Sequence, residues 1–395
     1  SKIDSIGNNL KDVMLIKIRI IKELIFSTSN KINFEQNKTS LYDTAVIIYT
    51  SGTTGNPKGV LLTHLNLLSD AMGISNWFKF NKETRCLCIL PLFHNNGQIT
   101  TLLAPLYAGG STVIVKGKIS LYAFWDLVNE YKVTWTSVMA SILSILLSLP
   151  NERKGNSLRA ILCGGQILTR SVQDQFESRF SIPIFEGYGL TETTSFSCIN
   201  NYPAEKRKIG SIGKSLVTNE IIILNENDEE VEENTEGEIC IRGYNVANGY
   251  LGDLEKNHAF RNGWFHSGDY GKKDNEGNFY FHGRQDSLII KGGENIYPAE
   301  IENVLYSHPD IEECAVIGIP HKLLGEDICA FIKIKNESQL TENGLKEFYK
   351  NKIADYKQPK KIIIINELDD LTEIPKGPTK KILYRKLKEY YKKKF

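Results

Sequence analysis

The sequence contains no apolar run long enough to cross a membrane. The longest run, VMASILSILLSL from Val138 to Leu149, falls well short of the roughly 20 residues that a spanning helix needs. We therefore expect a buried helix at this position and no transmembrane segment.

The sequence also lacks an excess of charge of either sign. Lys and Arg total 48, and Asp and Glu total 47, so no overall field attracts nucleic acid or an anionic membrane. The fractions of apolar residues (41%) and charged residues (24%) are typical of folded globular proteins. This balance favours a small-molecule partner over nucleic acid.

Cysteine is scarce and scattered. The seven cysteines are odd in number, and none of them forms a CxxC pair. This usage argues against a disulfide framework and favours a reduced, cytoplasmic setting.

Short apolar segments alternate with helical patterns from Thr44 onward. The first, AVIIY, looks like a buried strand that leads through a glycine-rich turn into the helix pattern THLNLLSDAMGISNWF, and RCLCILPL, STVIVKG, VTWTSVM, LRAILCGG and IPIFEGYG continue the rhythm. Such alternation predicts an α/β fold with a doubly wound, largely parallel sheet. Residues 1 to 40 show no clear period.

The predicted secondary-structure pattern changes twice after this region. Beyond about Lys208, short strands and turns such as NEIIIL and GEICIRG predict a small β subdomain. Near Asp286, one helix, several strands and a basic terminal helix predict a small α+β domain. We therefore expect a large N-terminal domain of doubly wound mixed sheets plus the β subdomain over residues 1–285, and a small C-terminal α+β domain over residues 286–395.

A run of glycines and hydroxyl residues follows the first predicted strand. Tyr49 to Val60 reads YTSGTTGNPKGV, and bare backbone with small hydroxyls can wrap phosphate oxygens closely. The run is not a Walker A motif, because Pro57 precedes Lys58 and Gly59 follows it. A polar turn without a ligand would explain a few of these residues but not the whole run. The predicted phosphate-binding residues are Thr50, Ser51, Gly52, Thr53, Thr54, Gly55 and Lys58.

The run YTSGTTGNPKG resembles the signature of the adenylate-forming superfamily, which contains acyl-CoA synthetases, nonribosomal peptide adenylation domains and luciferases. Further motifs follow in the family's order from Thr44 to Leu387, and that order makes the resemblance specific. The resemblance implies a carboxylic acid–CoA ligase: the acid and ATP give acyl-AMP and pyrophosphate, and thiolysis then gives acyl-CoA and AMP. ATP, Mg2+ and coenzyme A are the implied cofactors and co-substrates.

Two motifs resemble walls of the family's acid pocket. In PLFHNNGQ, the resemblance places His94 beside the substrate carboxylate, although a lone histidine is more often structural. In LCGGQIL, it places Gly165 and Gln166 at the acyl and nucleotide pockets.

The motif GYGLTETT carries the most telling resemblance. It implies that Tyr188, between Gly187 and Gly189, stacks near the adenine, that Thr191 contacts the α-phosphate and that Glu192 holds magnesium. The chemistry agrees, because an aromatic face suits a purine, a hydroxyl suits a phosphate oxygen and a carboxylate suits a hard cation.

Two later motifs resemble the family's ribose site and hinge. In GWFHSGDYG, Asp269 matches the residue that accepts hydrogen bonds from both ribose hydroxyls, and a carboxylate has enough lone pairs for such a diol. In FHGRQDSLI, Arg284 matches a residue near ribose and phosphate, and Asp286 matches the hinge. Without the resemblance, the first segment would be interpreted as an ordinary turn and the second as an ordinary strand end.

The remaining motifs resemble the mobile parts of the family's site, and this resemblance implies that the small C-terminal domain is mobile and rotates about Asp286. In KGGENIYPAEIE, the segment Gly292, Gly293 and Glu294 resembles the loop of the thiol tunnel. In IPKGPTKKILYRKL, alignment on the family motif makes Lys381 the catalytic lysine, with Lys380 in place of the family's glycine.

Two alternatives remain open from the sequence. The thiol could belong to a carrier-protein phosphopantetheine, because its chemistry is the same as that of coenzyme A. The chain could also be a truncated, inactive nucleotide-binding relative, since only 48 residues precede Tyr49. The sequence leaves the identity of the small carboxylic acid and the oligomeric state undetermined.

Overall fold

The structure is a computed structural model that describes residues 39–50, 58–115, 121–149, 157–252, 258–336, 338–377 and 382–395, together with the backbone of residues 13–16. Its contacts divide the chain into two compact units. The first unit comprises Ser1–Leu168, Val172–Ser267 and Lys273–Tyr280, and the second comprises Thr169–Ser171, Gly268–Lys272 and Phe281–Phe395. The boundary at Asp286 stays a prediction.

The elements up to residue 243 contain the strands of the large sheet and its helices. In chain order they are β1 (Val13–Ile16), β2 (Thr44–Thr50), β3 (Lys58–Thr63), α1 (His64–Trp77), β4 (Arg85–Cys88), a π-helix (Asn96–Leu103), α2 (Ala104–Tyr107), β5 (Ser111–Val115), α3 (Phe124–Glu130), β6 (Trp135–Val138), α4 (Ala140–Ser148), β7 (Ala160–Gly164), α5 (Arg170–Phe180), β8 (Ile184–Tyr188), β9 (Cys198–Ile199), β10 (Lys214–Ser215), β11 (Asn219–Leu224) and β12 (Glu236–Gly243).

The later elements are mostly strands. They are β13 (Phe260–Arg261), β14 (Trp264–Lys273), β15 (Phe279–Arg284), β16 (Ile289–Lys291), β17 (Glu294–Ile296), α6 (Pro298–Tyr306), β18 (Ile311–His321), β19 (Gly325–Ile334), α7 (Glu342–Tyr349), β20 (Lys361–Ile364) and α8 (Tyr384–Lys394).

The largest sheet has eight strands in the order β1-β5-β4-β6-β7-β8-β9-β10. The central strands β5, β4, β6, β7 and β8 run parallel, whereas β1, β9 and β10 pair antiparallel at the edges. The predicted α/β fold with a doubly wound mixed sheet is confirmed.

Alternate residues of the parallel strands enter two different cores. Leu87, Ile161 and Ile184 belong to a cluster with the side chains of α3, α4 and α5. Their strand neighbours Leu162 and Phe185 belong to a second cluster with α1. Because successive side chains of a strand point to opposite faces, helices cover both faces of this sheet.

The segment AVIIY does not form the buried strand that the sequence predicted. β2 pairs antiparallel with β3 in a two-stranded hairpin, with Thr50 opposite Lys58, and the side chains of Ile47 and Tyr49 are exposed. The predicted strand, loop and helix unit is therefore wrong: β3 lies between the loop and α1. An apolar run of this length does not show whether one or both faces of a strand are buried.

Two further sheets follow. One has the order β11-β12-β14-β13, with β15 paired to β14. In the second unit, β17-β16-β19-β18 form a sheet in which β20 lies parallel to β19. Helices α6 and α7 contribute Ile301, Leu305 and Leu345 to the core of that unit.

The apolar run that the sequence marked as a buried helix forms the end of β6 and helix α4. Leu143 and Leu146 are fully buried, whereas Ile145 is exposed. No helix in the described part of the chain is long and apolar enough to span a bilayer.

Candidate active site

Four neighbouring parallel strands end at the same edge of the large sheet. β4, β6, β7 and β8 are adjacent and parallel, and open α/β sheets bind ligands beyond the carboxyl ends of their strands. His94 follows β4, Gly165 and Gln166 follow β7, and Thr191 and Glu192 follow β8. The fold of the first unit therefore carries these predicted residues on loops at one edge.

The loop after β4 is hydrogen-bonded to the loop after β8. His94 precedes the π-helix, an element that is rare and often marks functional sites. The Asn95 side chain donates to the Leu190 carbonyl over 3.3 Å, and the hydroxyls of Thr100 and Ser195 lie 3.0 Å apart. These contacts hold the loop after β4 and the π-helix that follows it to the loop after β8.

The segment that carries Thr191 and Glu192 is a tight turn. Thr191–Thr193 form one turn of 3-10 helix, and the Leu190 N–H donates to the Thr193 hydroxyl over 3.0 Å. Thr194 has φ +67°, a conformation that a β-branched residue rarely adopts. A Cβ on Gly189 would lie 1.6 Å from the Ser195 carbonyl oxygen, so only glycine fits where the turn folds back on itself.

Glu192 is held by a residue that the sequence did not indicate. The Tyr250 hydroxyl donates to Glu192 Oε1 over 2.9 Å, and the Ala247 N–H donates to the Glu192 carbonyl over 2.8 Å. Lys58 Nζ lies 5.1 Å from the centre of the Tyr250 ring. Tyr250 thus links the predicted phosphate-binding lysine to the predicted magnesium ligand.

The pairing of β3 with a distant segment explains why Tyr250 was missed. Val60 forms a β-bridge with Tyr250, and Leu61 exchanges backbone hydrogen bonds with Asn248 and Gly249. Nothing in the local sequence NGYLGD points to magnesium or phosphate chemistry. This long-range pairing and the hydrogen bond from the Ala247 N–H to the Glu192 carbonyl bring the side chain to Glu192.

The chemistry of Glu192 fits a magnesium ion. Carboxylate and phosphate oxygens are the ligands that Mg2+ prefers, and the hydrogen bond from Tyr250 fixes the orientation of the carboxylate. The residues present could therefore hold the ion together with a nucleotide.

The loop after β7 has a structural partner as well. The side-chain oxygen of Gln166 accepts a hydrogen bond from the Ser141 N–H over 3.2 Å, at the start of α4.

On β8, burial raises the pKa of the Glu186 carboxyl to about 8. Tyr188, the predicted adenine contact, is 9% exposed.

Asp269 and Arg284 meet within the second unit. Arg284 Nε lies 3.5 Å from Asp269 Oδ1 and 3.5 Å from Asp286 Oδ1. Asp269 is buried, whereas Arg284 and Asp286 are about half exposed. The structure therefore brings together the two residues that were predicted for the ribose, beside the predicted hinge residue.

Several predicted residues lie outside the described part of the chain. They are Ser51, Gly52, Thr53, Thr54 and Gly55 of the phosphate loop, and the catalytic lysine Lys381 with Lys380. Thr50, Lys58 and the thiol-loop residues Gly292, Gly293 and Glu294 are described.

A second cluster of polar side chains lies in the small β subdomain. His266 Nδ1 lies 2.9 Å from Glu238 Oε2 and 3.4 Å from Cys240 Sγ, so these groups could hold a metal ion. Arg261 already supplies positive charge there, because its guanidinium pairs with Asp228 and lies 3.9 Å from Glu238. We interpret the cluster as a structural network of hydrogen bonds and charges.

Two family models match the chain. The model described as AMP-binding enzyme matches residues 8–251, and the model described as AMP-binding enzyme C-terminal domain matches residues 300–374. Together they cover most of the described chain.

Curated relatives and solved structures match over similar spans. Oxalate–CoA ligase of Arabidopsis thaliana is 36% identical over 94% of this chain and 73% of the relative. Sulfoacetate–CoA ligase of Cupriavidus necator is 35% identical over 87% of this chain and 66% of the relative. O-Succinylbenzoate coenzyme A synthetase of Bacillus subtilis, solved with ATP and magnesium ion, has a TM-score of 0.79 at 34% identity and covers 89% of this chain and 71% of that one. The chain thus spans about two thirds to three quarters of the length of these proteins.

Proposed function

Since this chain belongs to the AMP-binding enzyme family, we propose that it activates a small carboxylic acid with ATP and transfers the acyl group to coenzyme A. The predicted family is confirmed, and the predicted class, an ATP-dependent acid–CoA ligase, agrees with that of its relatives.

A carboxylate is a poor electrophile, so it first needs a better leaving group. One carboxylate oxygen attacks the α-phosphorus of ATP, the bond to the β-phosphate oxygen breaks, and pyrophosphate departs with the electron pair. The acyl-adenylate that forms is a mixed anhydride. Catalysis of this step depends on positioning the reactants and on stabilising negative charge among the phosphates.

The observation that carries this proposal is the link between Lys58, Tyr250 and Glu192. The Lys58 ammonium lies over the ring of Tyr250, and the hydroxyl of the same tyrosine orients the Glu192 carboxylate. Magnesium, when bound by Glu192, would neutralise phosphate charge. Lys58 would add positive charge on the side of the departing pyrophosphate.

The second step is thiolysis of the acyl-adenylate. The coenzyme A thiolate attacks the acyl carbon, and AMP departs. We assign Lys381 to the first step, where it bridges the carboxylate and the α-phosphate, and the loop of Gly292 and Gly293 to the second. The family resemblance supports a rotation about Asp286 that exchanges the two, so that one site serves both reactions.

A reducing, cytoplasmic location is part of this proposal. All seven cysteines are free thiols in the interior, and proteins of oxidising compartments typically pair theirs.

The function can be tested by measuring pyrophosphate release from purified protein across a panel of acids, with and without coenzyme A. The panel should contain oxalate, sulfoacetate, 2-succinylbenzoate and indoleacetate, together with simple aliphatic and aryl acids. We expect at least one acid to support ATP-dependent pyrophosphate release, and added coenzyme A to yield a thioester and AMP.

The variant Lys381→Ala separates the two steps. It should lose pyrophosphate release and still convert supplied acyl-adenylate into thioester. Lys386→Ala, at an exposed position of α8, is the matched control and should behave as the unmodified protein. The proposal fails if no acid supports pyrophosphate release, or if thioester forms without AMP.

A further inference from the structure

The loop assigned to the thiol step is a two-residue hairpin turn. Lys291 at the end of β16 lies opposite Glu294 at the start of β17, so Gly292 and Gly293 form the whole turn. Both have positive φ, +62° and +91°. This is the sign pattern of a type I′ turn, which glycine adopts without strain.

This turn is attached to the tip of the longer hairpin formed by β18 and β19. The Gly292 N–H donates to the Leu324 carbonyl over 2.8 Å, and Lys291 pairs with Gly325 at the start of β19. The Ile290 N–H donates to Glu326 Oε2 over 3.0 Å. Three successive residues of the short hairpin are therefore fixed to the tip of the long one.

A buried ion pair completes the attachment. Lys291 Nζ lies 2.7 Å from Asp327 Oδ1, and the two side chains are only 15% and 5% exposed. Asp327 Oδ1 also accepts the Ile328 N–H over 2.8 Å. Burial makes this pair sensitive to the removal of one partner, because the other charge is then left without compensation.

We propose that Lys291 and Asp327 are positioning residues for the thiol step, which they serve by locking the Gly292–Gly293 turn onto the β18–β19 hairpin. The inference rests on the proposed function. β18 and β19 span 11 and 10 residues and pair along their length, so they form a stiff support. A misplacement of about 1 Å can cost roughly a hundredfold in rate, and glycine by itself leaves the turn free to move.

The proposal predicts a selective defect in Asp327→Asn. Thiolysis of supplied acyl-adenylate should slow by roughly ten- to a hundredfold, with a rise in the KM for coenzyme A. Acid-dependent pyrophosphate release in the absence of coenzyme A should stay within about twofold of the unmodified protein. Asp327→Glu, which keeps the charge, should restore most of the thiolysis rate.

A matched control lies at the other end of the same strands. Glu312 on β18 pairs with Lys333 on β19 over 2.9 Å, so Glu312→Gln removes an ion pair between the two strands of this hairpin. It should leave both half-reactions unchanged. If Glu312→Gln slows thiolysis as much as Asp327→Asn, the effect reflects general weakening of the hairpin, and the proposal is wrong.

A double variant covers the case in which Asp327→Asn does not fold. Lys291→Met with Asp327→Leu replaces the ion pair by apolar side chains, an exchange that is often neutral or stabilising for the fold. It should show the same selective loss of thiolysis, because apolar side chains do not fix the turn with a charge-assisted hydrogen bond. Unmodified thiolysis in this variant would overturn the inference.

Failure of the inference and failure of the proposed function give different results. If the unmodified protein releases no pyrophosphate with any acid, the function itself is wrong. If it makes thioester and Asp327→Asn slows neither half-reaction, or slows both equally, only the positioning role is wrong.

Discussion

Tyr250 shows at the scale of a single residue how the candidate site depends on a contact between distant segments. The predicted residues Lys58 and Glu192 are both in contact with it, but its own sequence context contains no sign of that role. Residue types and spacing were sufficient to propose Glu192 as a magnesium ligand, because GYGLTETT is a compact local motif. The hydrogen bond from Tyr250 to Glu192 could not be predicted from the sequence, since it depends on contacts between distant segments such as the bridge between Val60 and Tyr250.

Tyr250→Phe removes only the hydroxyl that donates to Glu192 and leaves the ring beside Lys58. A hydrogen bond to a charged group is worth about 1.5 kcal/mol or more, so we expect the Mg2+ concentration for half-maximal pyrophosphate release to rise roughly tenfold. The measurement is a magnesium titration of the first half-reaction at saturating ATP. Tyr244→Phe, at a position that is 64% exposed, is the control. An unchanged magnesium dependence would show that the hydroxyl does not orient Glu192.

At the scale of elements, helix α1 and strand β2 illustrate what a local pattern can and cannot predict. The helix pattern THLNLLSDAMGISNWF gave α1 nearly at its observed bounds, because Thr63 and Asn66 form a reciprocal capping box that is local in sequence. The preceding AVIIY was correctly predicted as a strand but wrongly as buried. Its partner β3 is itself apolar, and the apolar run alone does not distinguish a sheet interior from an exposed hairpin.

Helix α1 also carries an ionisable residue in the core. Asp70 is fully buried, and burial raises its pKa well above the usual value. The folded protein therefore keeps this proton to a higher pH than the unfolded chain, whose carboxyl titrates near pH 3.9. The contribution of Asp70 to stability is present below that pH and is lost as the pH rises toward the pKa of the folded state.

Asp70→Asn should remove this dependence. We expect the free energy of unfolding of the variant, relative to the unmodified protein, to increase with pH above about 4, by at most about 1.4 kcal/mol per pH unit. Urea unfolding at pH 5 and pH 8 gives the comparison. Glu226→Gln, at an exposed position, should show no such trend. A difference that is the same at both pH values would indicate that the carboxyl is already ionised in the fold.

For the whole molecule, the α/β class could be predicted from the alternation of strand and helix patterns along the sequence. The structure contains the same alternation in the large sheet and its helices. The edge strand β1 did not follow from this alternation. Val13–Ile16 pairs with residues 112–115 of β5, about a hundred residues away, and residues 1 to 40 show no period that marks a strand. Edge pairings of this kind depend on the finished sheet, so a local pattern does not contain them.

The proposed rotation between the two steps concerns the whole molecule, and Asp286 is the place to test it. It lies in the short 3-10 turn Gln285–Ser287 between β15 and β16. Asp286→Pro fixes φ at this residue and restricts Gln285 before it. If the second half-reaction requires these angles to change, the variant should still release pyrophosphate with a suitable acid but form thioester at least about tenfold more slowly.

Asp286→Ala is the control for the loss of the carboxylate near Arg284, because alanine leaves the backbone free to turn. It should retain both half-reactions. Equal slowing of both steps in Asp286→Pro would point to local damage at Asp269 and Arg284, the pair predicted to bind the ribose, rather than to a hinge. Thioester formation at the normal rate in Asp286→Pro would mean that any rotation takes place elsewhere in the chain, because proline cannot supply the change in φ that a hinge at this residue requires.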